Sequence, residues 1–416
     1  MTLEHDPQEV SPAGGDVRPA GSVWKTVGII TATTLFLVLL LECGARMAEI
    51  WRPPFDVDFG MGFDAETRLF APVPDDPSLM KTCASKLRSF PECQFRLPKP
   101  AGTLRIFMLG GSSVNYLGSH FYGLNVLLEK ALAGRFQTVE IINAGGLSYG
   151  SQRLVPIAAE VLKYEPDLIL LYSGHNEFEE LEQLKFSNIK SKVLQEGLSH
   201  LALFRFLRDQ KAQWTMRRIY REHNAAVLKN PDVDYTRVWK VKFTEADIRE
   251  RMEAYRRNLS LMATFCRDRN VPLIIGSVPS NLWQPRLAPE DLPKFELAKK
   301  FYVEGKYDEG KALARELLKK VPRHQASDIE NGIIRDTARA FSLPVADVES
   351  AVTAAEPHGV PGESLFSDEC HLTEDGKLIL LAEYAKAVLK HFGVKDGQMP
   401  WPGGTVDGFW KAAEQP

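Results

Sequence analysis

The sequence predicts an α/β fold built on a doubly wound, parallel, five-stranded sheet, and three observations carry that expectation. Short apolar runs alternate with longer stretches of helical spacing through the middle of the chain, as they do when each helix returns the next strand parallel to the last. Several runs are apolar at consecutive positions, the pattern of strands covered on both faces. They stop on Gly, Ser or Asn, where a chain leaves the carboxyl edge of a sheet.

The organising run is residues 104–114, LRIFMLGGSSV, apolar apart from Arg105 until it breaks at Gly110-Gly111-Ser112-Ser113. Ligands bind just outside the carboxyl ends of strands in such sheets, so the two serines stand where chemistry occurs. If the strand continued through them, only one could face a given partner. A helix follows over 122–132, a second strand over 138–144, a helix over 154–164 and a third strand over 168–173, ending at Gly174-His175-Asn176-Glu177. The stretch 178–270 shows no strand and is charged and helical, which reads as an inserted helical cap. Its arginines beside Leu and Phe suit a solvated face better than a membrane surface. A fourth strand lies over 271–278. Residues 295–320 form a helical hairpin of tetratricopeptide type, too short for a solenoid, that offers a surface for a protein partner. A helix over 326–341, a fifth strand near 344–348 and a strong helix over 374–392 complete the pattern. Residues 393–416, rich in Gly, Pro and Trp, read as a loose tail.

Length and composition set the outer bounds. A chain of 416 residues, 44% hydrophobic, can bury a substantial core in one large domain or two smaller ones. A net charge of −3 argues against a general nucleic-acid binder. Residues 1–22 are polar and Pro/Gly-rich, which fits a disordered tail. Residues 23–41 form a run long enough to span a bilayer as a helix. The alternative, a cleaved signal peptide, is disfavoured by the late start and by Glu42-Cys43-Gly44-Ala45-Arg46, which lacks a small-x-small site. Basic residues are balanced across the run, and the tail is taken as inside, with the globular part periplasmic or extracellular. Residues 42–103 read as an irregular arm. The five cysteines have no metal-type spacing; Cys83 and Cys93 either close a ten-residue loop in an oxidising compartment or remain free thiols.

Polar groups at the strand ends, with Asp368 and His371 before the last helix, can converge on one edge of the sheet. Asp368 and His371 are close enough for the carboxylate to hold one imidazole nitrogen while the other faces Ser112, the logic of a hydrolase triad. Four blocks in order, Gly110-Gly111-Ser112-Ser113, Asn143 to Ser148, Gly174-His175-Asn176-Glu177 and Asp368-Glu369-Cys370-His371, give the chain its resemblance to the SGNH/GDSL hydrolase family over about 104–392, apart from the insertion. Gly111 stands where the family has aspartate, Ser148 where it has glycine, and Glu177 where it has aspartate. The resemblance implies a flavodoxin-like sheet, Ser112 as nucleophile, His371 as base and Asp368 as its orienter. It also implies an oxyanion hole from the Ser112 amide, Asn176 and either Gly146 or Ser148.

The expectation is therefore a membrane-anchored, extracytoplasmic ester hydrolase working through an acyl-enzyme, without metal or organic cofactor, on acyl (acetyl) esters of carbohydrate or lipid. Two alternatives keep the same fold: an O-acetyltransferase of envelope or secreted polysaccharide, and a non-catalytic polysaccharide-binding or assembly factor.

Overall fold

A computed structural model of the protein describes residues 20–51, 68–187, 197–198, 200–229, 243–287, 289–320, 324–395 and 399. The expected tail over 1–22, the loose end over 393–416 and parts of the arm and insertion fall largely outside them.

Eight strands are present among the described residues. Three form a small antiparallel sheet, β1 (Phe70–Val73), β2 (Asp76–Thr82) and β3 (Gln94–Arg96). The other five, β4 (Thr103–Gly110), β5 (Thr138–Gly145), β6 (Leu168–Tyr172), β7 (Leu273–Gly276) and β8 (Val345–Ala346), form a wholly parallel sheet in the order β5-β4-β6-β7-β8. Counted within this sheet the order is 2-1-3-4-5, the doubly wound arrangement in which the chain reverses direction at the first strand. Every residue of β4 is buried. Arg105 is tolerated there because its guanidinium reaches Glu140 and the carbonyls of Tyr164 and Arg96 and lies 5.0 Å from the Phe95 ring centroid. A buried charge so fully paired avoids most of its desolvation cost.

Helix α1 (Ala20–Trp51) contains the expected span but runs well beyond it, 32 residues or about 48 Å. It is exposed along its apolar stretch and long and apolar enough to cross a membrane. Residues 42–51 are thus helix and not part of an irregular arm. The later part of that arm is also ordered, as the β1–β3 sheet. Its Phe70 and Phe95 pack edge to face with Phe107 of β4. The amides of Leu69 and Phe70 donate to the buried Glu160 carboxylate at 2.8 to 3.0 Å, and the Tyr164 hydroxyl joins them.

Cys83 and Cys93 are free thiols. The register β2 to β3 carries on so that Thr82 donates its amide to Cys93, and Cys83 comes one residue later, where the backbone turns to donate to Leu69. Neighbours along a strand face opposite sides, so the pair is offset. The Cys93 thiol instead lies 3.6 Å from the Asn143 carbonyl.

The helices on the sheet are α2 (Ser112–Asn115), α3 (Phe121–Ala131) and α4 (Ser151–Val161). After β6 come α5 (Glu177–Ser187), α6 (Ala202–Lys229) and α7 (Glu245–Asp268). The expected insertion over 178–270 is too long at its carboxyl end. Thr244 and Asp247 cap α7 reciprocally, and Met252, Tyr255, Leu259, Met262 and Cys266 lie in the main core, so α7 is the crossover from β6 to β7. Helix α6 sits beside the stem of α1: the Glu42 carboxylate accepts from the Ala202 and Leu203 amides, and Arg205 grips Glu49. The expected hairpin is α8 (Leu292–Val303) and α9 (Tyr307–Leu318), with its own small apolar core. Helices α10 (Asp328–Phe341), α11 (Val348–Ala355) and α12 (Glu374–His391) complete the chain.

Candidate active site

Ser112 opens α2 directly after β4, at the reversal of the sheet. The strand does not continue through the serines. Ser112 and Ser113 sit in a helical turn, so their side chains diverge by roughly 100° and not by the half turn of a strand. Ser112 Oγ lies 2.7 Å from His371 Nε2, and His371 Nδ1 lies 2.6 Å from Asp368 Oδ2. The other carboxylate oxygen, Oδ1, accepts from the Cys370 and His371 amides at 2.9 and 2.7 Å. Partial burial works to raise the Asp368 carboxyl, yet the hydrogen bond from His371 and the two amides outweigh it and hold the group down at about 2. An ionised Asp368 keeps the proton on Nδ1 and leaves Nε2 free to accept from Ser112.

Ser113 lines a small cleft beside the triad together with Tyr116, His371, Leu372 and Lys377. His175 is no rival base: burial, and then the neighbouring His371, push it down to about 3, and its Nδ1 accepts the Ala326 amide.

The oxyanion candidates are distinguished by their partners. Asn176 is buried and gives one amide hydrogen to the Tyr149 carbonyl at 3.1 Å. A Cβ at position 111 would come within 2.2 Å of Asn176 Nδ2, so the glycine there makes room for the amide beside Ser112. The Gly146 amide is spent on the Gly110 carbonyl at 2.9 Å, which removes Gly146 as a donor. Ser148 has φ 61°, the left-handed conformation that glycine adopts most easily, and its hydroxyl donates to Glu179 at 2.7 Å. Its serine therefore keeps a backbone shape suited to the family's glycine.

Sequence reasoning missed the support behind these groups. The first amides of α4 fold onto two buried carboxylates: Ser151 donates its amide and hydroxyl to Glu177, and the Gln152 and Arg153 amides donate to Glu180. Arg251 of α7 bridges both carboxylates, reaching Glu177 at 2.6 Å, and Arg153 also pairs with Glu180 and the Ser148 carbonyl. Burial pushes Glu177 up to about 7 against the pull of Arg251, whereas for Glu180 the two arginines overcome burial and hold it low. Glutamate in place of the family's aspartate supplies the carboxylate that reaches Ser151. Asn143 is also structural, donating to the Val114 and Asn115 carbonyls and accepting the Gly145 amide.

Asp368, Cys370 and His371 offer three ligand atoms within 4.8 Å of one another. Two of those groups are engaged with each other and with Ser112, and burial raises the Cys370 thiol well above its ordinary range. The donor set therefore suits a proton relay better than a cation.

No protein-family model matches the sequence, and no curated protein does. Among solved structures the chain is similar to a putative GDSL-like lipase from Parabacteroides merdae (11% identity, TM-score 0.39, covering 69% of this chain and 97% of that one). It is similar to an acetyl xylan esterase (12% identity, TM-score 0.37, 68% and 99%) and to a psychrotrophic esterase from a Pseudoalteromonas species (10% identity, TM-score 0.35, 70% and 99%). The likeness is one of fold.

Proposed function

We propose that this protein is a serine ester hydrolase of SGNH type, anchored by α1 with its catalytic domain outside the cytoplasm. The observation that carries the reading is the unbroken relay from Ser112 Oγ through His371 to Asp368, with bonds of 2.7 and 2.6 Å. Ser112 attacks the ester carbonyl as His371 Nε2 takes its proton. The negative oxygen that forms is met by the Ser112 amide, by the second amide hydrogen of Asn176 and by the Ser148 amide. His371 returns the proton to the leaving alcohol, and water repeats the sequence on the acyl-enzyme.

The relay speaks against a purely binding or assembly role, since binding does not need an aligned Ser-His-Asp set. Hydrolysis and transfer differ only in whether water or a sugar hydroxyl meets the acyl-enzyme. Incubating purified protein with p-nitrophenyl acetate, with and without an oligosaccharide acceptor, tests the reading. We expect nitrophenol release that Ser112→Ala abolishes; release that survives this change would contradict it, and acetylated oligosaccharide would identify the transferase. A reporter fused after Pro400 should be active only outside the cytoplasm.

A further inference from the structure

The loop that follows β7 is tied to the catalytic loop. Asn281 donates its side-chain amide to the Asp368 carbonyl at 2.9 Å and its backbone amide to the Glu369 carbonyl at 3.2 Å. Arg286 pairs with Glu369 at 2.9 Å. Two residues beyond Asn281, Trp283 stacks on Tyr302 of α8, ring centroids 4.8 Å apart and planes 10° from parallel. The Leu282 and Trp283 amides share the Pro361 carbonyl, and the Tyr302 hydroxyl is held by the Leu282 carbonyl at 3.1 Å. Both rings are thus fixed before any ligand arrives.

These rings line a groove of about 580 Å³ together with Gln284, Leu292, Phe295 and Lys299. That volume lies in the range of ligand sites and far exceeds the small cleft at the triad itself. The lining is mixed. Flat aromatic surface lies beside the amide of Gln284, which both donates and accepts, and the ammonium of Lys299, which is exposed, pairs with Glu296 and lies 5.6 Å from the Phe295 ring centroid. An acyl chain would strip water from the Gln284 amide and from the Lys299–Glu296 pair and return no hydrogen bond, at a cost. A sugar ring matches the lining, because its C–H face can lie on an aromatic ring while its edge hydroxyls meet an amide and an ammonium.

We propose that the groove lined by Trp283, Tyr302, Gln284 and Lys299 is a saccharide subsite that holds the carbohydrate part of the ester substrate while its O-acyl group is presented to Ser112. This rests on the hydrolase reading and narrows the substrate class to O-acylated polysaccharide. The fused loops give the reason for its position: the groove and the Asp368 loop are bonded into one wall, so that a chain seated in the groove is held in register with the triad.

The test uses the full-length protein in detergent, carrying Ser112→Ala to prevent turnover. Hexaoses of β-1,4-linked xylose, glucose and N-acetylglucosamine are titrated in by calorimetry. We expect saturable binding of at least one, weakened tenfold or more by Trp283→Ala and also by Gln284→Trp, which narrows the groove from an exposed position. Both variants should keep the circular-dichroism spectrum and the cooperative unfolding of the unaltered chain, which reports that they fold. Failure of all three sugars to bind, equal binding by both groove variants, or displacement of the sugar by octanoate would overturn the proposal. Loss of p-nitrophenyl acetate hydrolysis in the unaltered protein would instead count against the hydrolase reading, whatever the sugars do.

Discussion

On the proposed mechanism Ser112 reacts only when His371 Nε2 is open to accept its proton, and the bond from Nδ1 to Asp368 holds the tautomer that leaves it open. With its carboxyl held at about 2, Asp368 stays charged throughout the range in which the enzyme can work, so acid loss of activity above about pH 3 should not be its titration. Asp368→Asn offers Nδ1 a side chain that can donate and so favours the wrong tautomer; turnover should fall by about four powers of ten, measured on p-nitrophenyl acetate. Asn176 acts later, on the charge that develops, so Asn176→Ala should lower kcat by about 10²- to 10³-fold and leave KM nearly unaltered. A rise in KM with kcat intact would place Asn176 in substrate binding. The residues of this layer were legible in the sequence because each catalytic group lies within a block of four to six residues that carries its own turn signal. Between Gly146 and Ser148, which the sequence left open, the backbone speaks for Ser148: the Gly146 amide is bonded to Gly110, and Ser148 takes a positive φ.

Helix α4 begins on two buried carboxylates, and this junction holds the loop of Ser148 against the turn of Asn176. Arg251 is 2% exposed in its side chain and its partners no more, so Arg251→Met leaves two carboxyl groups without their shared cation, a change that typically costs about 3–5 kcal/mol. Thermal unfolding should show the loss directly. Glu177 adds a pH signature. With a folded value near 7 against an ordinary 4.5, its proton favours the folded state; that contribution is complete below about pH 4.5 and is lost as pH rises through 7. Glu177→Gln stays neutral throughout, so its melting temperature should gain on that of the wild type between pH 5 and pH 8. The opposite trend would mean that Arg251 keeps Glu177 ionised. None of this was legible beforehand, because Arg251 is far from Glu177 in the chain and meets it only once α7 packs as a crossover. The β1–β3 sheet was hidden for another reason: its strands are short, contain Pro72 and Pro77 and are separated by turn residues, so their period-two pattern is too brief to read.

At the scale of the whole molecule, α1, the small sheet and the helices around the parallel sheet are joined by a few carboxylates that accept backbone amides. Glu42 caps α6 from the stem of α1, and Glu160 holds the β1–β3 sheet to α4. Glu160→Ala strands the Leu69 and Phe70 amides, while the Tyr164 hydroxyl keeps the Phe70 carbonyl at 3.3 Å, and should cost roughly 3 kcal/mol of stability by denaturant titration. Cys83 and Cys93 should both alkylate once the protein is unfolded without reductant; a joined peptide would contradict the offset register. The apolar run of α1 was plain in the sequence, whereas its continuation to Trp51 was not, because Glu42, Arg46 and Glu49 read as the start of a polar arm until α6 supplies their partners. The central claim is that the intact, anchored chain carries its acyl group on Ser112, and the most direct measurement is fluorophosphonate labelling of the full-length protein with the modified peptide sequenced by mass spectrometry. A single adduct is expected on Ser112, absent in Ser112→Ala and retained in Ser113→Ala. An adduct on Ser113 that persists in Ser112→Ala, or no adduct on the native protein, would contradict it.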